Sequence, residues 1–291
     1  DIGYTLVYAK HSPGQHSQDF DMWSSRILLT GVPGLSTPGD CNGDRAITAS
    51  DITALALEFF DGDDNNNPAA TPGGTYPGNP GCDANGDNHI GASDINCMAL
   101  LFFNGAGACS RVTTTSASAS PVLSIPSQLT VAPTSQVTVP LRLQTNASAV
   151  GSLLFSLDYD ETQLSFDPAD NNQDGIPDAI SFNLPAQYMR AVMFNPEDAD
   201  GELDFMIANF AASPVALADG TLLSVTLDVG QPSATTEAAI NFSQAPAASF
   251  GDTQGRDLSG ATANGSVLIT VPPTPSDTQS TIYLPFISQN R

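Results

Sequence analysis

Two stretches of the chain share one helical pattern of apolar positions. In "SDITALALEFF" they fall at Ile52, Leu55, Ala56 and Phe59, and in "SDINCMALLFF" at Ile95, Met98, Ala99 and Phe102. The i, i+3, i+4, i+7 spacing gives each predicted helix a single apolar face. Asp51 and Asp94 stand at the N-terminal ends, where a carboxylate suits the helix dipole. Because the pattern recurs, the segment over residues 39–110 reads as an internal duplication, each copy a loop followed by a helix. The stretch between the copies, "DGDDNNNPAATPGGTYPGNPG", has no apolar period and reads as loop.

Downstream the period changes from helix to strand. Over residues 121–271, apolar and polar side chains alternate, as in Val137, Val139 and Leu141 against Gln136, Thr138 and Arg142. Candidate strands are "VLSI", "QVTVPLRL", "GSLLFSLDY", "QLSF", "AISFNL", "YMRAVMF", "LDFMIANF", "TLLSVTLDV", "AAINFS" and "GSVLITV". Short strands with frequent turn signals predict an all-β sandwich. Upstream, "YTLVYAK" and "DFDMWSSRILL" predict a β-hairpin over residues 1–38, the end of a preceding domain, in which Trp23 is a packed ring. Residues 111–120 form a Ser/Thr linker. Residues 272–291 are a Pro/Ser linker and a short apolar tail, read either as an added strand or as a surface-sorting signal. The expected fold class is therefore multidomain: a small α module of two loop–helix repeats, an all-β sandwich and a short N-terminal hairpin.

Charge narrows the partners. Asp and Glu number 31 against 8 Lys and Arg, so nothing can neutralise a row of phosphates or hold an anionic membrane surface. No apolar run is long enough to span a bilayer. Excess carboxylate suits a solubilising surface or a hard cation such as calcium. Abundant Pro and Gly with few Lys is the composition of exported β-modules. Cys41, Cys82, Cys97 and Cys109 lack CxxC spacing, which disfavours zinc and predicts two disulfides in an oxidising compartment, with three connectivities open. The chain opens at Asp1 without a signal segment and is expected to be a processed protein or a fragment.

Catalysis finds little support. His11, His16 and His89 are the only histidines, and none lies in the sandwich, so no Ser/His/Asp set assembles around a nucleophile there. No glycine-rich phosphate loop precedes a helix. The clustered carboxylates have the spacing of loop ligands, so no glycosidase pair is needed to explain them. "NAS", "NFS" and "NGS" are sequons that chance accounts for in a chain this rich in Ser.

The chemistry concentrates in two twelve-residue loops, "DCNGDRAITASD" and "DANGDNHIGASD". Asp40, Asn42, Asp44 and Asp51 hold positions 1, 3, 5 and 12 of the first; Asp83, Asn85, Asp87 and Asp94 hold them in the second. Ala46 and His89 offer backbone carbonyls at position 7. Alternate oxygens on a tight turn are how an EF-hand-type loop surrounds calcium. Ile47 and Ile90 at position 8 tie each loop to the core. Position 6, normally Gly, is Arg45 in one loop and Asn88 in the other, and Arg is the less suited to a left-handed conformation. Position 12 is Asp, one methylene shorter than the usual Glu. A further loop, "DNNQDGIPD", places Asp170, Asn172, Asp174 and Asp178 at positions 1, 3, 5 and 9, with Gly175 at the turn and the Ile176 carbonyl at position 7; it is a third candidate calcium site.

The duplicated segment resembles a dockerin domain over residues 39–107, with a longer insert between copies than the family shows. The resemblance implies that loop positions 10 and 11 and the following helix contact a cohesin partner, here Ala49, Ser50, Ala92, Ser93, Leu57 and Leu100. It also implies a pseudo-twofold bringing the termini together, so that Cys41 would meet Cys109 and leave Cys82 with Cys97. The β-rich segment resembles a cohesin, carried by "VGSLLFSLDYDETQLSF" around Asp158, Tyr159, Asp160 and Leu164, and by "DGTLLSVTLDV". That implies a jelly-roll sandwich. The expected protein is a non-catalytic, secreted or cell-surface scaffold whose modules dock complementary cohesin or dockerin modules on other chains. Pairing within one chain is open, although a ten-residue linker makes it geometrically tight. The alternative is a polysaccharide-binding tail of a larger secreted enzyme, weakened by a sandwich without Trp.

Overall fold

The structure is a computed structural model describing residues 37–60, 81–109, 120–194, 201–244 and 246–273. Residues 1–36 of the expected hairpin, the insert between the loop–helix copies, nearly all of the Ser/Thr linker and the C-terminal tail lie outside the described residues.

Both predicted helices are present. Helix α1 spans Ala49–Phe59 and α2 spans Ala92–Asn104. Each is started by its loop. The Thr48 hydroxyl accepts the Ser50 N–H at 3.2 Å, while the Thr48 N–H donates to Asp51 Oδ2 at 2.8 Å. In the second copy the Gly91 N–H donates to Asp94 Oδ2 at 2.9 Å, so the last loop carboxylate also serves as a helix start. Ile52, Leu55, Phe59, Ile95 and Met98 are buried, as their spacing predicts. Phe102 departs from the pattern: it is 46% exposed, sits outside the shared core, and rests on Phe103 and Phe210 at ring-centroid distances of 4.9 and 5.5 Å.

The β segment comprises β1 (Val122–Ser124), β2 (Leu129–Val131), β3 (Gln136–Gln144), β4 (Val150–Tyr159), β5 (Leu164–Phe166), β6 (Ile180–Phe182), β7 (Tyr188–Met193), β8 (Glu202–Asn209), β9 (Gly220–Val229), β10 (Thr236–Phe242), β11 (Ser249–Asp252), β12 (Asp257–Leu258), β13 (Ala261–Ala263) and β14 (Gly265–Ile269). Every strand predicted over residues 121–271 appears; β2, β11, β12 and β13 are additional. One sheet runs β13-β1-β3-β9-β5, with β6 also on β9. The other runs β12-β11-β4-β10-β14-β2, and β8 then β7 extend it from the free edge of β4. The two sheets enclose a core that includes Phe155, Phe205, Phe242, Leu141 and Leu223.

A second core lies on the outer face of the β4 sheet. Leu154 of β4 and Met206 and Ala208 of β8 pack there with Ile52, Leu55, Ile95 and Met98 of the helices, edged by Met189, Ala191 and Met193 of β7. Strand β4 is consequently buried on both faces: all its residues are buried except Asp158, which is half-buried. An antiparallel strand with one solvated face would alternate. "GSLLFSLDY" pairs two apolar residues, Leu153 and Leu154, because one faces each core.

Candidate docking face and calcium loops

Helix α2 lies across β11, β4 and β8. Its approach depends on small residues in the sheet. A Cβ on Gly251 would stand 2.6 Å from the Ser93 backbone, and one on Gly151 would stand 2.4 Å from Asn96 Nδ2. Only glycine lets two backbones come this near. Polar groups are then paired across the junction. Ser249 Oγ accepts the Ala92 N–H at 2.8 Å, and Ser152 Oγ donates to the Ala92 carbonyl at 2.5 Å. Asn96, fully buried, donates through Nδ2 to Ser152 Oγ at 2.9 Å and to the Asp252 carbonyl at 2.8 Å. Asn85 Nδ2 donates to the Gly255 carbonyl at 3.1 Å.

The β11–β12 turn that offers those carbonyls is held by its own side chain. Asp252 accepts the N–H groups of Gln254 and Arg256 at 2.8 and 2.9 Å and the Arg256 Nε–H at 2.5 Å. Asp257 follows, beside Ser93, Asp87 and His89, with His89 Nδ1 at 3.8 Å. Burial pushes the Asp257 carboxyl up, opposed by the Ser93 hydroxyl, which hydrogen-bonds to it.

The predicted partner residues therefore divide. Ala92 and Ser93 are buried against the sandwich face and Leu100 is buried, whereas Ala49 and Ser50 are exposed and Leu57 is half-buried. The sequence left contact between the two parts of one chain open; here α2 lies against the sandwich. The sandwich side of this face, Ser152, Ser249, Gly251, Asp252, Gly255 and Asp257, was not foreseen. The legible signal was the broken alternation of "SLLF" in β4 and "FMIA" in β8, which demands a covered outer face.

The calcium-type loops share one internal hydrogen-bond pattern. In the first, Arg45 N–H donates to Asp40 Oδ2 at 2.9 Å, Asp44 N–H to Asn42 Oδ1 at 2.9 Å, and Ala46 N–H to Asp44 Oδ1 at 2.8 Å. In the second, Asn88, Asp87 and His89 donate in the same way to Asp83, Asn85 and Asp87 at 3.1, 2.9 and 2.9 Å. The third candidate repeats it, with Gly175, Asp174 and Ile176 donating to Asp170, Asn172 and Asp174 at 2.9, 2.8 and 2.9 Å. Asp178 accepts from the Asn171 N–H at 3.1 Å. Arg45 and Asn88 both adopt the left-handed conformation, φ 74° and 68°, that position 6 requires.

In the duplicated loops the closing carboxylates accept further N–H groups: Asp51 Oδ1 from Asn42 at 3.0 Å and Asp94 Oδ1 from Asn85 at 3.1 Å. Asp40 Oδ1 is buried without a hydrogen-bond partner. Burial pushes the carboxyls of Asp40 and Asp83 up, and that of Asp94, which is fully buried, well above the usual carboxylate range. Neighbouring loop carboxylates add to each shift. Among the described residues, no three His, Cys, Asp or Glu side chains converge as a metal-binding group.

The cysteines pair differently from the expectation drawn from the family's symmetry. The bonds are Cys41–Cys82, with Cα atoms 4.2 Å apart, and Cys97–Cys109, 5.3 Å apart. The starts of the two loops run side by side, with Gly39 N–H donating to the Gly81 carbonyl at 2.9 Å, so Cys41 meets the residue just before the second loop. Cys109 folds back on α2 and reaches Cys97, and both pack against Gly255 of the sandwich.

The sequence profile of the cohesin domain matches residues 121–269. That is slightly more than half of the chain, and the chain belongs to the cohesin family. No curated protein matches it. Among solved structures, it is similar to the sixth cohesin of scaffoldin B from Acetivibrio cellulolyticus, solved in complex with a Cel5 dockerin: 21% identity, 52% of this chain and 99% of that chain, TM-score 0.40. It is also similar to the seventh ScaB type I cohesin of Pseudobacteroides cellulosolvens, at 22% identity over 53% of this chain and 96% of that one, TM-score 0.37. A third is the cohesin module of a family 33 glycoside hydrolase from Clostridium perfringens, at 12% identity over 52% and 96%, TM-score 0.37. No helix among the described residues is long and apolar enough to cross a membrane.

Proposed function

We propose that this chain is a non-catalytic, extracellular assembly protein in which the cohesin domain docks a calcium-dependent dockerin-type module, and that its own module occupies the docking sheet. The observation that carries the reading is the unequal burial of two near-identical copies. Ala92, Ser93, Asn96 and Leu100 are buried, while their counterparts Ala49, Ser50 and Thr53 are exposed and Leu57 is half-buried. Contact of Ala92, Ser93 and Asn96 with β4 and the β11 strand and turn is what distinguishes the second copy. Closure in cis acts as a competitor at an effective concentration on the order of millimolar for a linker of this length, so a module on another chain must displace it.

Calcium is the cation that the loops suit. The candidate ligands are Asp40, Asn42, Asp44, the Ala46 carbonyl and Asp51 in the first loop, and Asp83, Asn85, Asp87, the His89 carbonyl and Asp94 in the second. The exposed Asp170, Asn172, Asp174, Ile176 and Asp178 loop is a third candidate. Support comes from buried carboxylates whose charges oppose one another and from an unpartnered Asp40 oxygen, a situation that a hard cation relieves. The two disulfides support an oxidising, extracellular setting.

Gly251→Val tests the docking. A side chain there meets the Ser93 backbone at 2.6 Å and Ser152 Oγ of β4 at 2.4 Å. The hydroxyl can rotate away but the Ser93 backbone cannot, and valine suits a strand, so the module is driven off. A retained β-sheet circular dichroism signal checks that the sandwich stays folded. Small-angle scattering of the full chain is expected to show a larger radius of gyration for the variant than for wild type. Identical scattering curves would sink the docking reading.

A further inference from the structure

The duplicated loop–helix unit presents two similar helix starts, and it is the second copy's that hydrogen-bonds to the sandwich. Resting on the docking reading above, we infer that the sheet accepts the second copy alone, and that Gly91 and Asn96 set this choice. The two faces carry the same Ala–Ser–Asp–Ile start, at residues 49–52 and 92–95. They differ where the sheet is least forgiving. Loop position 9 is Gly91 in the docked copy and Thr48 in the other. A Cβ at Gly91 would stand 2.6 Å from Ser249 Oγ, the atom that accepts the Ala92 N–H. Threonine there forces the hydroxyl aside, and the junction loses that bond.

Two residues past the closing Asp, the docked copy has Asn96 and the other Thr53. Asn96 supplies two N–H donors to buried acceptors, Ser152 Oγ and the Asp252 carbonyl. A threonine hydroxyl has a single hydrogen to donate, and its shorter side chain leaves at least one buried acceptor unpaired. Thr48 is suited to its own place, where it caps α1. The kind of partner that this sheet fits is thereby defined. A loop–helix module from any chain requires Gly at loop position 9 and Asn two residues after the closing Asp, with Ala and Ser at positions 10 and 11.

Amide exchange in the full chain, read by NMR in excess calcium, tests this. Ala92 and Ala49 are the equivalent first residues of the two helices. In wild type the protection of Ala92 over Ala49 is expected to be on the order of a hundredfold, because Ala92 exchanges only when the docked state opens. Gly91→Thr with Asn96→Thr is expected to lower Ala92 protection by about tenfold or more, the effect of one buried acceptor left unpaired. Adding Thr48→Gly and Thr53→Asn exchanges the two faces, and protection is expected to move to Ala49. Every introduced residue is one that the other copy already carries at the equivalent N-cap or helix position, and retained helical circular dichroism checks that both helices persist. Protection that stays on Ala92 in the fully exchanged chain overturns the inference. Equal, low protection of both alanines in wild type would instead remove the docking reading itself.

Discussion

Phe155→Ala is expected to destabilise the sandwich by about 3–5 kcal/mol, the range for removing a fully packed aromatic ring. Phe155 is 1% exposed on the inner face of β4. Its ring stacks on Phe205 of β8, its register partner, at 5.1 Å between centroids, and meets the edge of Phe242 of β10 at 5.9 Å. One ring therefore joins three strands of one sheet from the core side. Because a domain's whole stability is about 5–15 kcal/mol, this single truncation removes a large share of it. The measurement is urea unfolding of the full chain, following the transition of the β-sheet. Leu154→Ala is the informative comparison. Leu154 is equally buried, but it points from the same strand into the helical core, so its loss falls on the docked module. A β-sheet transition shifted by under about 1 kcal/mol for Phe155→Ala would contradict the packing described.

The contrast between these neighbours shows what the sequence made legible. Period-two alternation located β3 and β9 because each has a solvated face, and period 3.6 located α1 and α2. The turn geometry of the loops was legible too, since Asp and Asn at alternate positions accept the N–H groups two residues on. Arg45 was the doubtful residue, and its φ of 74° shows that the loop holds it in the left-handed region, where any residue but Gly or Asn is disfavoured. What was not legible depended on contacts between distant segments. Strands β11 and β12 are short, contain Gly251 and Asp257, and follow no clean alternation, because β11 carries the docking junction on one face. Asn96 looked like an ordinary helix residue; its role exists only where Ser152 and the Asp252 carbonyl come to meet it.

Disulfide pairing failed for a related reason. The symmetry of the family suggested closing the termini, Cys41 to Cys109. The position of Cys82 immediately before Asp83 instead brings it beside Cys41 where the two loops start. Local geometry where the two loops start prevailed over the symmetry argument. Phe102 likewise followed its helical period in sequence but not in space, because α2 turns its later residues toward Phe210 of the sandwich.

Calcium withdrawal is expected to reverse the way the chain's stability depends on pH. In chelator, Asp40, Asp83 and Asp94 have folded pKa values raised above the unfolded value of about 3.9. The folded state then binds more protons than the unfolded one across the window between those values. Stability is fully present below the unfolded pKa and is lost as pH rises through the folded values. With calcium in excess the sign changes, because the cation binds only ionised carboxylates and its affinity grows as they lose their protons. Two sites, each at a hundredfold excess over Kd, contribute about 5 kcal/mol at neutral pH. Melting curves recorded by calorimetry on the full chain should thus nearly coincide at about pH 4 and diverge steadily toward pH 7.5, falling in chelator and rising in calcium. Asp51→Asn and Asp94→Asn should each remove roughly half of that divergence, since each deletes the closing carboxylate of one loop. The Asp94 variant alone should also loosen the docked module, because its loop is the one held by the Gly255 carbonyl. Melting that is the same in calcium and in chelator at neutral pH would remove calcium from the loops, and the fate of Ala92 protection under the same two conditions would show whether docking needs the cation at all.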